Sequence, residues 1–365
     1  MEFTMQSNST LSNKESTGWL MAFPATAIIS LFIIVPFLLG FYFAFTNQRF
    51  ISPNAAEYVG TSNFHQLLDL GVLTLEPERD AATQEIKKDP SGAALYPTIR
   101  SLTRNNPDMP YYNGMREWFS WHSGDNIKVV VARDVVFMKA IVNTFLFVLI
   151  VAPLQGGIAL LLAMMINQKL PGINVFRTIY FMPVVVSIVV VSLLWRFIYS
   201  GDNGLLNALL GFFTFGGFKP IDWLGNSATA LGSIIAMSIW QAVGFHMVIW
   251  LSGLQTIPVS LYEASDIEGA SGWQKFRFVT WPGLRNTAIL VLVVITMQAF
   301  TLFSQVAVMT QGGPVDATQT IVFQAVQHGY AKQDIATGSA ISVILFVIVI
   351  TISLIQRYLT REKLT

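Results

Sequence analysis

A short polar stripe interrupts one of the long apolar runs of this sequence, and its side chains are suited to binding a polar solute. Gln298, Thr301 and Gln305 recur at i, i+3 and i+7, the spacing of one helical face, and Ser304 lies beside them. Amides and hydroxyls of this kind orient a polar solute through hydrogen bonds. Because polar groups at membrane depth face the interior of a bundle, the stripe predicts the lining of a solute path. The alternative is interhelical hydrogen bonding that only holds the helices together.

A second polar cluster lies in the preceding apolar run. Trp240, Gln241, Phe245 and His246 are close together near the middle of that run, and we assign Gln241 and Phe245 to the same predicted path. The four histidines of the chain lack metal-ligand spacing, so no metal site is expected. His246 is interpreted as a packed polar residue.

A charged segment between these two runs has the pattern of a docking surface. Its capping-box pairs are Ser260 with Glu263 and Ser271 with Gln274. They predict two short helices, which meet at Gly269, a residue able to adopt the left-handed conformation that closes a helix. Pro282 is expected to end the second helix. The alternative is a solvated connector.

We call residues 258–286 the docking loop. Several of its residues are small, which lets another surface approach closely. The residues predicted to make the contact are Glu263, Ala264, Ser265, Asp266, Gly269, Ala270, Gln274 and Pro282.

The composition excludes several classes of function. Hydrophobic residues make up 53% of the 365 residues and charged residues 12%, with a mean hydropathy of +0.54, which indicates a membrane protein. A net charge of +1 argues against nucleic-acid binding, and the absence of cysteine excludes disulfides. There is no Gly-Lys-Ser/Thr phosphate loop, and no acid lies in an apolar run, which disfavours proton coupling. We therefore predict a transport protein that is not an enzyme and has no cofactor of its own.

Six apolar runs reach the roughly 20 residues needed to cross a bilayer. They lie near 19–46, 137–166, 175–199, 228–254, 288–310 and 337–356. The predicted fold class is an all-α polytopic membrane protein with six transmembrane helices, cytoplasmic coupling helices and a small extracytoplasmic insertion. The predicted organisation is an N-terminal tail 1–18, a first helix 19–46, an outer segment 47–134, a five-helix core 135–357 and a tail 358–365.

The orientation follows from basic residues in the short loops. One side carries Lys169, Arg177, Lys275, Arg277, Arg285, Arg357, Arg361 and Lys363, and the other carries only Lys219 and Lys332. The positive-inside rule therefore places both termini and the docking loop in the cytoplasm.

The outer segment 47–134 is too long to be structureless and is predicted to fold into a small cap. The run Lys128–Ala132 predicts a strand that leads into the second span. Several prolines, among them Pro77, Pro90, Pro97, Pro107 and Pro110, and a cluster of tyrosine, tryptophan and phenylalanine residues also mark this segment. It is interpreted as a platform for an extracytoplasmic partner, with an ornament over the channel mouth as the alternative.

The stretch from Glu263 to Pro282 resembles the EAA motif of the permease subunits of bacterial ABC importers. Other segments are similar to the carbohydrate branch of that family: Tyr58-Val59-Gly60, Asn63-Phe64, Asn143-Thr144, Phe147, Phe176–Pro183, Gly204–Asn207, Leu254–Pro258 and Gly312-Gly313-Pro314. The likeness runs from Trp19 to the end but excludes roughly Asp69–Arg133, a larger outer insertion like that of the maltose-type permease. The motif departs from the family pattern at Ser265, Glu268, Trp281 and Arg285.

The resemblance implies a function and a set of partners. In this family the docking loop forms coupling helices that sit in a cleft of an ATPase subunit, and Glu263, Ala264 and Gly269 match that role. The expected partners are a second permease in a heterodimer, two ATPase subunits that bind ATP and Mg²⁺, an extracytoplasmic solute-binding protein, a carbohydrate and membrane lipid. The expected location is the bacterial inner membrane. The alternatives are an ion-coupled carrier or channel acting alone, and a membrane-embedded assembly subunit.

Overall fold

A computed structural model describes residues 6–80, 85–90, 92–168 and 171–360. Its α-helices are α1 Gln6–Ile29, α2 Val35–Phe43, α3 Ser62–Leu68, α4 Ile99–Thr103, α5 Val135–Ile166, α6 Ile173–Val185, α7 Ile188–Ile198, α8 Leu205–Phe213, α9 Ala230–Gln255, α10 Val259–Ile267, α11 Gly272–Lys275, α12 Trp281–Gly283, α13 Arg285–Phe300, α14 Ser304–Met309, α15 Ile321–Val326 and α16 Ile335–Thr360. Shorter π-helical turns cover Ser30–Ile34, Phe276–Thr280 and Gln327–Ala331, and a 3-10 turn covers Pro110–Tyr112.

Five helical stretches of the described chain are long and apolar enough to cross a membrane. They are Gly18–Phe43, Val135–Ile166, Ala230–Gln255, Arg285–Met309 and Ile335–Tyr358. A sixth span is reached if the bent pair α6 and α7 is counted as one. Of the basic residues used for orientation, Lys169, Arg361 and Lys363 lie outside the described residues.

The third span is broken, because the apolar run near 175–199 folds as a bent pair of helices rather than as one straight helix. The axes of α6 and α7 differ by 97° across Val186 and Ser187. Pro183 lies in the last turn of α6 and has no N–H to continue the hydrogen-bond ladder. A Cβ on Gly244 of α9 would lie 2.0 Å from the Tyr180 carbonyl oxygen, so a larger residue there would prevent α6 from packing against α9.

The core of the bundle is built around α5 and α9, which pack against α13. Fully or almost fully buried side chains from these helices include Phe147, Ala159, Met247 and Ile295. The indole N–H of Trp250 on α9 donates to the carbonyl of Gly156 on α5 at 3.0 Å. This buried hydrogen bond holds α5 and α9 together, as polar groups do between membrane helices.

The outer insertion contains a three-stranded antiparallel sheet in the order β1-β3-β2. The strands are β1 Leu70–Leu75, β2 Arg116–Ser123 and β3 Asn126–Ala132. The predicted strand Lys128–Ala132 is therefore part of β3. Asp69 and Arg133 close the base of the unit, with the Arg133 N–H donating to the Asp69 carbonyl at 3.1 Å and an ion pair at 3.5 Å. Its position on the outer side of the membrane stays a prediction.

The two faces of this sheet differ. One face packs Leu73, Leu75, Met115, Val129 and Val131 into a small core of its own. The other face is more exposed and mostly apolar. It carries Leu70 and Val72 on β1 and Phe119 and Trp121 on β2, with Val130 and Lys128 of β3 between the two strands. The rings of Phe119 and Trp121 stack at 5.8 Å.

Candidate functional site

The first arm of the docking loop is α10, and its ends are set by Pro258 and Gly269. Pro258 is the N-cap and no side chain caps the helix, so the predicted pairing of Ser260 with Glu263 was wrong. Because the helix begins at Val259, Ser260 falls inside the first turn rather than at the cap. Gly269 has φ +70°, as predicted. Its N–H donates to the Asp266 carbonyl at 3.1 Å and the Ala270 N–H to Ser265 at 2.9 Å, which is a Schellman motif.

The second arm continues into the fifth span instead of ending. The capping box of Ser271 and Gln274 is present, with the Ser271 N–H donating to Gln274 Oε1 at 2.7 Å. The prediction that Pro282 ends this helix was wrong, because α12 includes Pro282 in its first turn and α13 begins at Arg285. The π-helical turn Phe276–Thr280 precedes α12 and shifts the hydrogen-bond pattern. Pro282, which has no N–H, therefore lies in the first turn of a new helical segment, where that N–H would have no helical partner.

Two side-chain contacts brace the arms against each other. The Tyr262 hydroxyl lies 2.9 Å from the Thr280 hydroxyl, and Thr280 is buried. The Lys275 ammonium forms an ion pair with the Asp266 carboxylate. The loop is therefore built as one stiff unit that is continuous with α13.

Replacing Thr280 by Val is expected to weaken this brace while keeping the shape of the side chain. A buried hydrogen bond contributes about 1 kcal/mol net, so the loop should move more freely against α13. If the loop is the coupling element that the resemblance implies, we expect partial uncoupling, with more ATP hydrolysed for each solute transported. The measurement is the ratio of ATPase rate to uptake rate in proteoliposomes. Thr287→Val, outside the brace, is the matched control, and an unchanged ratio in Thr280→Val would show that the brace plays no part in coupling.

The docking loop presents apolar as well as acidic groups to the surroundings. Ile267 is 86% exposed and Trp273 67% exposed, which is unusual for large apolar residues outside an interface. Of the predicted contact residues, Ser265 and Ala270 are half-buried. The exposed ones are Glu263, Ala264, Asp266, Gly269, Gln274 and Pro282.

A polar pocket of about 100 Å³ lies inside the bundle. It brings together Gln241, Gln298 and Gln305, three of the residues predicted for the path. The full lining is Phe147, Val151, Gln155, Ser238, Gln241, Ala242, Ile295, Gln298, Ala299, Leu302 and Gln305. We call it the glutamine pocket.

The structure does not bring Thr301, Ser304 or Phe245 into this lining. The predicted single face was wrong because the helix stops at Phe300 and resumes at Ser304. The Thr301 hydroxyl donates to the Gln298 carbonyl at 2.8 Å instead of facing the pocket. The carbonyl of Leu302, freed by the break, accepts a hydrogen bond from the Thr320 hydroxyl at 2.9 Å.

Two lining residues, Gln155 and Ser238, were missed. Gln155 on α5 is 3% exposed, and its Nε2 lies 2.8 Å from Nδ1 of His246, which is fully buried as a packed polar residue. Among the described residues, Ser238 Oγ and His246 Nε2 have no hydrogen-bond partner. A lone amide in an apolar run was the signal that could have identified Gln155.

At the opposite end of the bundle from the docking loop, the segment around Gly312-Gly313-Pro314 is fastened to α5. The Asn143 amide donates to the carbonyls of Asp316 and Gln319, each at 3.1 Å, and Thr144 Oγ1 accepts from the Ile321 N–H at 3.1 Å. Two separate segments that resemble the family are therefore joined by these hydrogen bonds. We call the contact of Asn143 and Thr144 with residues 316–321 the latch.

The match to known proteins follows the region that contains these features. Residues 155–364 match the family described as the binding-protein-dependent transport system inner membrane component. The chain belongs to this family. The docking loop fits the EAA motif of such permeases, and the chain is the membrane-spanning permease subunit of an ABC importer, a multi-pass inner-membrane protein.

Individual relatives extend the match beyond that region. The permease is 26% identical over 347 residues to the probable starch degradation products transport system permease protein AmyD of Thermoanaerobacterium thermosulfurigenes, covering 94% of each chain. It is 32% identical over 273 residues to the lactose transport system permease protein LacF of Rhizobium radiobacter, covering 74% of this chain and 89% of that one. A bacterial ABC transporter involved in alginate import has the same fold, with a TM-score of 0.69, 18% identity and 99% and 100% coverage.

Proposed function

We propose that this permease forms one half of a carbohydrate path and that its docking loop receives the motion of a separate ATPase subunit. The proposal rests on the helical connection between the docking loop and the fifth span. The second arm of the loop runs through Pro282 into α13, which holds Gln298 in the glutamine pocket. A tilt imposed on the loop therefore reaches the pocket lining without an intervening flexible joint, as alternating access by rigid-body motion requires.

The glutamine pocket supports a closed state of the proposed path. At about 100 Å³ it is smaller than the roughly 300–1,000 Å³ typical of small-molecule sites. The path must therefore widen before a sugar passes. Glutamine side chains both donate and accept hydrogen bonds, which suits sugar hydroxyls. Relatives named for starch products and lactose support carbohydrate as the substrate class.

The proposed assembly contains a second, different permease, two ATPase subunits below it and a solute-binding protein outside. Both termini and the docking loop lie in the cytoplasm in this proposal, because the short loops on that side carry most of the basic residues. ATP and Mg²⁺ bind to the ATPase subunits, and the permease itself hydrolyses nothing and holds no cofactor.

Reconstitution separates this proposal from an ion-coupled carrier. The permease would be placed in liposomes alone, and then with its partner permease, ATPases and binding protein. Uptake of a labelled sugar only by the complete assembly, and only with ATP, is the expected result. Uptake by the permease alone under an ion gradient would contradict the proposal.

The exposed apolar face of the insertion sheet is proposed to contact the solute-binding protein. Changing Phe119 and Trp121 to Ser would remove the stacked aromatic pair without touching the sheet core. An aromatic anchor lost from an interface costs about 2 kcal/mol, so we expect roughly thirtyfold more binding protein to be needed for half-maximal ATPase stimulation.

The matched control is His122→Ser, an exposed change on the opposite face of the same strand. Trimming Asp69–Arg133 to a short linker should have at least as large an effect as the double change. Unaltered stimulation in both variants would leave the insertion as an ornament.

A further inference from the structure

A second polar pocket, of about 370 Å³, lies where the insertion meets the segment between the fifth and sixth spans. Four glutamines line it: Gln311, Gln319, Gln324 and Gln327. Its volume falls within the roughly 300–1,000 Å³ of typical small-molecule sites, unlike that of the glutamine pocket. We call it the outer pocket.

The outer pocket is preorganised by its own hydrogen bonds. Gln324 is 4% exposed, and its Nε2 donates to Gln319 Oε1 at 2.7 Å. Gln319 Nε2 in turn donates to Asp316 Oδ1 at 3.4 Å, and Asp316 is held by the latch on α5. This chain fixes the amide orientations and leaves Gln324 Oε1 without a protein partner within the described chain.

The remaining amides of the outer pocket are free to meet a ligand. The side chains of Gln311 and Gln327 make no hydrogen bond to any residue in the described ranges. Gln324 can still accept a hydrogen bond, and Gln311 and Gln327 can each donate and accept. This combination matches a ligand that carries many hydroxyl groups.

Charged side chains add to this preference for an oxygen-rich ligand. Arg116 on β2 forms no ion pair with the residues that the structure describes, and Lys332 lies at another wall. Burial and the charge of Lys332 lower the pKa of His328, whose Nε2 lies 2.8 Å from the Lys332 ammonium. One oxygen of the Asp134 carboxylate, Oδ1, is engaged, since it accepts from the Phe137 N–H at 2.9 Å and caps α5. The unused donors of the pocket are therefore the Arg116 guanidinium and the amides of Gln311 and Gln327, whereas the Lys332 ammonium already contacts His328.

We propose that the outer pocket is a saccharide site that holds the sugar outside the closed glutamine pocket, with Arg116 as the contribution of the insertion. The inference rests on the proposed carbohydrate function and adds a place on the path. It also gives the insertion a part in handling the substrate, separate from any contact with the binding protein.

The natural absence of cysteine allows a direct test. Gln327→Cys places one thiol in the outer pocket, and Gln311→Cys is a second reporter if the first fails to fold. The complete importer in proteoliposomes would be treated from the binding-protein side with a membrane-impermeant thiosulfonate, with and without maltose, trehalose or lactose. At ten times its Kd, a sugar that occupies the pocket should slow labelling about tenfold.

The matched control is Gln66→Cys, the same change on exposed α3 outside the pocket, where labelling should be unaffected by sugar. Adding Arg116→Gln should reduce the protection at position 327. ATP-driven uptake of a sugar that gives no protection at either reporter would overturn the outer site but not the proposed function. Protection without uptake would support the site and count against carbohydrate import, and neither protection nor uptake would overturn both.

Discussion

Replacing Gly269 by Pro is expected to abolish ATP-driven uptake while the permease still inserts into the membrane. Gly269 has φ +70°, whereas the proline ring holds φ near −65°. The substitution also removes the hydrogen bond from the Gly269 N–H to Asp266, so the turn between the two arms cannot close. Uptake by reconstituted importer is the measurement, with membrane yield as the check on insertion.

The matched control is Gly272→Ala. Gly272 has ordinary backbone angles, and a Cβ built on it meets nothing within 4 Å, so near-normal uptake is expected. Glu263→Lys reaches the same site without altering the backbone, by reversing the charge of an exposed residue. The proposed ATPase surface that meets Glu263 would carry positive charge, so the lysine places like charges together at a cost of several kcal/mol and this variant should also lose uptake. Normal uptake in both Gly269→Pro and Glu263→Lys would remove the docking loop from the coupling mechanism.

The second large effect is expected from Gln298→Leu, which should impair uptake and leave assembly with the ATPase unchanged. The substitution keeps the approximate volume but removes an amide from the glutamine pocket. A passing sugar hydroxyl left without its partner costs about 1–3 kcal/mol, which corresponds to roughly a five- to 150-fold loss in uptake rate. Uptake kinetics and co-purification of the ATPase measure the two properties separately.

Thr301→Val serves as the matched control for this change. Although the sequence pattern places Thr301 on the same face as Gln298, its side chain lies outside the pocket lining. Uptake should therefore be near normal in Thr301→Val. If Gln298→Leu has unchanged kinetics, or if both variants lose activity equally, the assigned lining is wrong.

The features that the sequence predicted well depend on local patterns. Five spans follow from apolar length alone, and the turn at Gly269 follows from the need for a positive φ. The capping box at Ser271 is likewise a contact between residues three apart. The family resemblance rested on the same docking-loop residues, and it is confirmed by the match over residues 155–364.

The features that were missed depend on contacts between distant residues. The break at 301–303 has no glycine or proline to mark it, and its freed carbonyl is satisfied by Thr320 from another segment. Gln155 joins the glutamine pocket only because α5 packs against α9, where it meets His246. The sheet could not be recognised from β1 and β2. Both strands carry apolar residues on their exposed face, so apolar and polar residues do not alternate regularly along them, as they do in a typical half-buried strand.

Cysteine cross-linking from the docking loop tests the central claim most directly. Glu268→Cys would place the only thiol of the permease on the exposed side of the loop. In the assembled importer we expect a cross-link to the ATPase subunit whose yield changes when ATP binds, and none from Gln66→Cys on α3. A loop thiol that never cross-links to an ATPase, in an importer that still takes up sugar with ATP, would contradict the account.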